Sequence, residues 1–120
     1  MSRSRRVVID TSTLVSAALC TSSIPDQALS RAVESFDVCS SIETLAELER
    51  VLSRGKFERY RSRESLSAFV AKLQRRFQFF AISPDDLSAV DPPCRDPKDN
   101  QFLALTLVAG ADVLISSDED

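Results

Sequence analysis

The sequence predicts an α/β fold, a three-layer α/β/α sandwich around a central parallel sheet of four strands. Three observations carry this. Short β-branched or aromatic runs at 6–9, 36–39, 79–82 and 111–115 alternate with longer segments of helical periodicity, a pattern that places parallel strands between layers of helices. The chain has 120 residues, enough for one core and too few for two, so 1–120 reads as a single domain. Hydrophobic residues make up 43% and charged residues 28%, the balance of an ordinary globular protein.

The elements follow in order. Arg6 to Ile9 is a buried strand that stops at Asp10. Thr11, Ser12 and Thr13 can each cap the helix that carries Leu14, Val15, Ala18 and Leu19. Pro25 and Asp26 open a second helix with Ala28, Leu29, Ala32 and Val33 on its apolar face. After the strand at 36–39, Ser40 and Glu43 have capping-box spacing. The third helix has Leu45, Leu48 and Leu52 as its stripe, and Gly55 as its stop. Leu66, Phe69, Val70, Leu73 and Phe77 mark a fourth helix over 62–76. A strand at 79–82 leads to a turn at Ser83-Pro84-Asp85-Asp86 and a loop over 91–96. Asp96 before Pro97 is an N-cap and first helical residue. The last helix carries Phe102, Leu103, Leu105, Leu107 and Val108 nearly all round, so it is expected to be central and buried. Gly110 closes it before the fourth strand at 111–115.

Composition narrows the chemistry. There is no histidine, which removes serine and cysteine triads and the common zinc sites. Cys20, Cys39 and Cys94 form no Cys-x-x-Cys pair and read as buried or bystander thiols. Two glycines build no phosphate loop. Carboxylates without histidine suit hard cations such as Mg2+ or Mn2+. The basic opening segment is followed only by Val7-Val8-Ile9 before Asp10. That is too short for a signal core, and no run is long enough to cross a membrane, so a cytoplasmic protein with no membrane partner is expected.

Charge is uneven along the chain. Residues 50–76 hold nine basic and two acidic side chains, net +7, and residues 85–120 hold nine acidic and two basic ones, net −7. A basic region beside an acidic one suits phosphate and cation binding; two solvated or mutually paired faces would read the same way.

Ligands of an open parallel sheet bind beyond the carboxyl ends of its strands. Asp10 ends the first strand, Asp118 follows the last, Asp99 lies in the first turn of a helix, and Glu47 lies in the second turn of another. Four carboxylates on one edge repel unless a cation neutralises them. Each also has a structural reading: Asp10 as a helix cap, Glu47 paired with Arg50 or Arg54, Asp99 on a helix dipole, Asp118 in a turn.

These positions resemble a known family. Val8-Ile9-Asp10-Thr11-Ser12-Thr13-Leu14-Val15-Ser16-Ala17, Thr44-Leu45-Ala46-Glu47-Leu48, Arg95-Asp96-Pro97-Lys98-Asp99-Asn100-Gln101-Phe102-Leu103-Ala104-Leu105 and Ala111-Asp112-Val113-Leu114-Ile115-Ser116-Ser117-Asp118-Glu119-Asp120 are similar, in order, to the four motifs of PIN domains. Within that family the chain resembles the bacterial VapC-like toxin components of toxin-antitoxin systems. The resemblance implies an Mg2+- or Mn2+-dependent endoribonuclease, sometimes with a fifth strand. Asp10, Asp99 and Asp118 would hold metal directly or through water, and Glu47 would bind a second ion or orient the attacking water. Asp120 matches a further acid, and Thr11 or Ser12 would place a water or a phosphate. Arg50, Arg54, Lys56, Arg59 and Arg61 are candidates for RNA phosphates. The implied partners are the RNA substrate, a cognate antitoxin protein and a second copy in a homodimer.

Two departures stand out. Ser12 occupies the position where the family usually has asparagine, and a hydroxyl replaces one amide hydrogen bond but not two. The family pattern also runs on past the fourth motif, so an end at Asp120 is expected to expose a sheet edge and loosen Asp118. A degenerate PIN-fold module that binds RNA or protein is the alternative reading. A receiver-type phosphoacceptor would need an adjacent acid, and a haloacid-dehalogenase-type phosphatase an aspartate two after its nucleophile; Asp10-Thr11-Ser12 has neither.

Overall fold

The structure, a computed structural model, describes residues 5–90 and 97–115, and the side chains of all of these except 97–99. The order is β1 (Arg6–Ile9), α1 (Thr11–Leu19), α2 (Ile24–Ser35), β2 (Asp37–Ser40), α3 (Ile42–Leu52), a 3-10 turn (Gly55–Phe57), α4 (Arg63–Arg76), β3 (Gln78–Phe79), α5 (Pro84–Ser88), α6 (Pro97–Ala109) and β4 (Val113–Ile115). The four strands form one parallel sheet in the order β3-β2-β1-β4.

Side chains alternate across the sheet, and this alternation makes the layers. Val7, Ile9 and Val38 face one way and share a core with Leu14, Ala18, Leu29, Leu48, Leu66 and Leu73 of α1 to α4. Val8 and Cys39 face the other way, against Phe102, Leu105 and Ala109 of α6. The α/β/α sandwich is therefore asymmetric: four helices cover one face, and α6 covers the other. Burial in this second cluster raises the Cys39 thiol above its ordinary pKa, so it behaves as a small core residue. Cys20 is free and exposed; Cys94 lies outside the described residues.

Several element ends differ from expectation, each for a local reason. β2 runs one residue further, because Ser40 pairs with Phe79. The cap of α3 then moves to Ser41, whose hydroxyl accepts from the Thr44 amide at 3.1 Å. α1 is capped by Asp10 itself, and α2 by Ser23. α3 stops at Leu52, and Gly55 opens the 3-10 turn instead of ending the helix. β3 is confined to Gln78–Phe79. The expected turn at Ser83 is the reciprocal capping box of α5, where bonds from the Ser83 amide and hydroxyl hold the Asp86 carboxyl below its usual pKa.

α6 is not buried all round. Phe102, Leu105 and Ala109 form the stripe against the sheet, while Leu107 on the opposite side is 64% exposed. A helix covering one face of a sheet needs one apolar stripe, and the sequence supplies more than one. The expected N-cap, Asp96, lies outside the described residues.

Two distant arginines finish helix ends. α1 and α6 have no basic residue in their last turns. Arg61 donates to the Ala18 carbonyl of α1 at 2.8 Å, and Arg6 donates to the Ala109 carbonyl of α6 at 2.6 Å. Both satisfy carbonyls that have no partner within the helix and place positive charge at the negative dipole end. The Arg6 guanidinium also lies 5.6 Å from the Phe80 ring centre. Arg6→Ala is expected to cost about 1–2 kcal/mol in urea unfolding, with Arg6→Lys between the two.

Candidate active site

β1, β2 and β4 run parallel, so their carboxyl ends share one edge. The buried polar side chains among the described residues are Asp10, Thr11, Thr13, Ser40, Ser41 and Thr44. All six lie at the carboxyl ends of β1 and β2 or in the first turns of α1 and α3. The rest of the described interior is apolar. Buried polar groups are costly unless they are bonded or used, and here they are gathered in one place.

Asp10 anchors this edge. Its amide donates to the Ile115 carbonyl at 3.0 Å, which ties the end of β1 to the end of β4. Its Oδ1 accepts from the Thr13 amide at 2.9 Å and from the Ser12 hydroxyl at 3.3 Å. The capping role of Asp10 is thus real, and it orients a carboxylate that is only 8% exposed. The Ser12 bond is long, in keeping with a hydroxyl at the position where an amide is usual.

Glu47 lies on α3, one turn beyond the buried Thr44. It is half-buried and has no ion pair or hydrogen bond among the described residues. The pairing with Arg50 or Arg54 does not form: the ion pair seen among the described residues is Arg63 with Glu58. α6 ends at Ala109, and Gly110, at φ +63°, turns the chain toward β4. α6 therefore runs back against the strands, and its first turn, with the backbone of Asp99, lies at the same edge. Asp118 and Asp120 lie outside the described residues. The chain leaves β4 at Ile115, beside Asp10. Among the described side chains no three carboxylates or thiols converge on a cation position; Asp99 and Asp118 are not in that set.

The basic residues lie elsewhere. Arg50 is in the last turn of α3, and Arg54, Lys56 and Arg59 are exposed beyond it. α3 has 11 residues, which rise about 16 Å from the edge where it starts. Arg61 is engaged at the end of α1.

A family model described as "PIN domain" matches residues 6–120. The chain belongs to the PIN domain family. Among solved structures, this PIN domain is similar to VapC20 of Mycobacterium tuberculosis, a toxin that cleaves the sarcin-ricin loop, with a TM-score of 0.64 and 17% identity over 95% of this chain and 91% of that one. That likeness shows the fold. No curated protein matches the chain.

The PIN domain presents oxygen donors at its carboxyl edge; the sequence has no histidine, and the one thiol of the described strand ends, Cys39, is buried. Carboxylates and hydroxyls fit a hard divalent cation and suit zinc or copper poorly. Asp10 is already held by an amide and a hydroxyl, and Glu47, on the helix that follows β2, is half-buried with no counter-charge among the described residues; both would gain from a cation. Sequence reasoning missed Thr13, Ser41 and Thr44. A hydroxyl in the first turn reads as an ordinary capping residue, and its burial depends on the neighbouring strand.

The two roles of Asp10 separate experimentally. Asp10→Asn keeps an efficient N-cap and should leave urea stability nearly unchanged, whereas Asp10→Ala should lose about 1 kcal/mol.

Proposed function

We infer that this PIN domain is a metal-dependent endoribonuclease, the toxin of a bacterial toxin-antitoxin pair. The observation that carries the reading is the gathering of every described buried polar side chain at the carboxyl edge around Asp10. Asp10, Asp99 and Asp118 would hold Mg2+ or Mn2+, and Glu47 would hold a second ion or orient the attacking water. Thr11 or Ser12 would place a water or a phosphate oxygen, and Asp120 would add a further acid. When bound, the cation neutralises charge developing on the phosphate and makes water acidic enough to attack near neutral pH.

The residues do the rest. Asp10 keeps its orientation through the Thr13 amide and the Ser12 hydroxyl. Glu47 has no counter-ion among the described residues, which leaves its carboxylate for a second ion or for orienting the attacking water. Arg50, Arg54, Lys56 and Arg59, at and beyond the far end of α3, and Arg61, at the end of α1, would meet phosphates away from the cleavage point. For Arg61 this applies to the donors that Ala18 does not use.

The antitoxin reading has its own support. A groove of about 430 Å³ runs between α2 and α4, with Leu29, Val33, Phe69 and Leu73 at its base. Asp26 and Glu34 stand on one side, and Lys72 and Arg76 on the other. An amphipathic segment of a partner protein fits those features. A homodimer and a cytoplasmic location complete the proposal. No helix among the described residues is long and apolar enough to cross a membrane.

Cleavage of a mixed RNA pool with Mg2+ or Mn2+ tests the reading. Asp10→Asn, Asp99→Asn and Asp118→Asn are each expected to lower the rate at least 100-fold, an order of magnitude typical of losing electrostatic transition-state stabilisation, and EDTA should abolish it. Folded, metal-supplied protein that cleaves nothing would move the reading to a PIN-fold binding module.

The basic group has a separate signature. Removing Arg50, Arg54, Lys56 and Arg59 together should weaken RNA binding and flatten its salt dependence, by about 0.7 in log–log slope for each phosphate these side chains had neutralised. An unchanged slope would mean that this face is solvated and not bound to RNA.

A further inference from the structure

Two buried hydroxyls at the carboxyl edge have no hydrogen-bond partner among the described residues, Thr11 Oγ1 and Thr13 Oγ1. Their positions differ. Thr11 shares a helical face with Leu14 and Ala18, which enter the core. Thr13 lies three residues from Asp10, on the flank where the capping residue and the third helical residue meet. The Thr13 amide donates to Asp10 Oδ1 at 2.9 Å, so its backbone is held against the carboxylate.

The usual reciprocal arrangement is closed at this position. In a capping box the third side chain accepts from the amide of the capping residue. Here the Asp10 amide donates to the Ile115 carbonyl at 3.0 Å. β4 has taken the partner, and Thr13, 3% exposed, has little access to water in exchange. A buried hydroxyl left in this state destabilises the fold, and an apolar side chain of the same shape would not. The Asp10 carboxylate is the acceptor on the same flank, since its Oδ1 already meets the Thr13 amide at 2.9 Å, and threonine in helices divides between two rotamers.

We propose that Thr13 is a positioning residue for Asp10, its hydroxyl donating to the carboxylate when that carboxylate engages a divalent cation at the carboxyl edge. This rests on the metal-dependent reading above. The Ser12 hydroxyl also reaches Asp10 Oδ1, at 3.3 Å, so a Thr13 hydroxyl would act beside it on the same carboxylate. A carboxylate that turns toward a cation loosens its hold on the capping amide, and another donor on the same flank keeps its orientation.

The test compares wild type, Thr13→Val, Thr13→Ser and Asp10→Asn, each titrated with Mn2+ by calorimetry and melted with and without the ion. Without metal, Thr13→Val is expected to melt above wild type by roughly 3–6 °C, because it removes an unpaired hydroxyl and no bond. With metal, Thr13→Val should bind Mn2+ about 10-fold more weakly, the usual order for an outer-sphere partner. Thr13→Ser keeps the hydroxyl and should keep the affinity, while Asp10→Asn should lose it and so identify the titrated site. A metal-free Thr13→Val that melts below wild type overturns the proposal, because the hydroxyl then has a structural partner. Unchanged Mn2+ affinity in Thr13→Val overturns it and leaves the metal reading standing. A wild type that binds no Mn2+ removes the metal reading, and this role falls with it.

Discussion

The rest of the structure depends on β1 being held between β2 and β4. Val7, Val8 and Ile9 are buried on both faces of the sheet, so they serve both cores at once. The amide of the next residue, Asp10, is fixed by Ile115. A carboxylate cannot retreat into solvent when the backbone on its N-terminal side is locked in a sheet and that on its C-terminal side begins a helix. The sheet's interior thereby determines the geometry of its edge.

The same arrangement makes the observed cap at Asp10 compatible with the metal-binding role proposed for it. An N-cap aspartate is held at a helix start, where amide groups and the dipole favour its charge. That is also what a metal-binding carboxylate needs before metal arrives: a defined direction and partial burial. The cap at Asp10 is therefore compatible with the ligand role proposed for it. The hydroxyls around it, from Thr11 and Thr13 on one connection and Ser41 and Thr44 on the next, give the edge a polar interior that the remainder of the described core lacks.

Much of the fold was legible because its signals are local. Val7 to Ile9 form an unbroken apolar run, and the stripes of α3 and α4 have clear helical spacing. What was not legible depends on tertiary partners. α6 is apolar on several sides, so periodicity could not say which face meets the sheet, and Leu107 lies outside. The cap of α3 shifted by one residue because β3 extended the pairing of β2. That Asp10 stands at the end of β1 could be read from chain order alone. That Glu47 lacks a counter-ion among the described residues, or that Arg61 spends a donor on Ala18, could not be read from residue types.

The pairing of β1 with β4 has a consequence for how the protein comes into being. Arg6 and Asp112, bonded to each other where the two strands begin, are 106 positions apart in the chain. Loop closure over such a distance is entropically costly and tends to be late. β4 is also the last of the four strands to be synthesised. A nascent chain can build α1 to α4 against β1 and β2 while Asp10 still lacks the carbonyl that fixes its amide. The polar edge is then finished only once β4 has been made, long after the residues of β1, α1, β2 and α3 that line it.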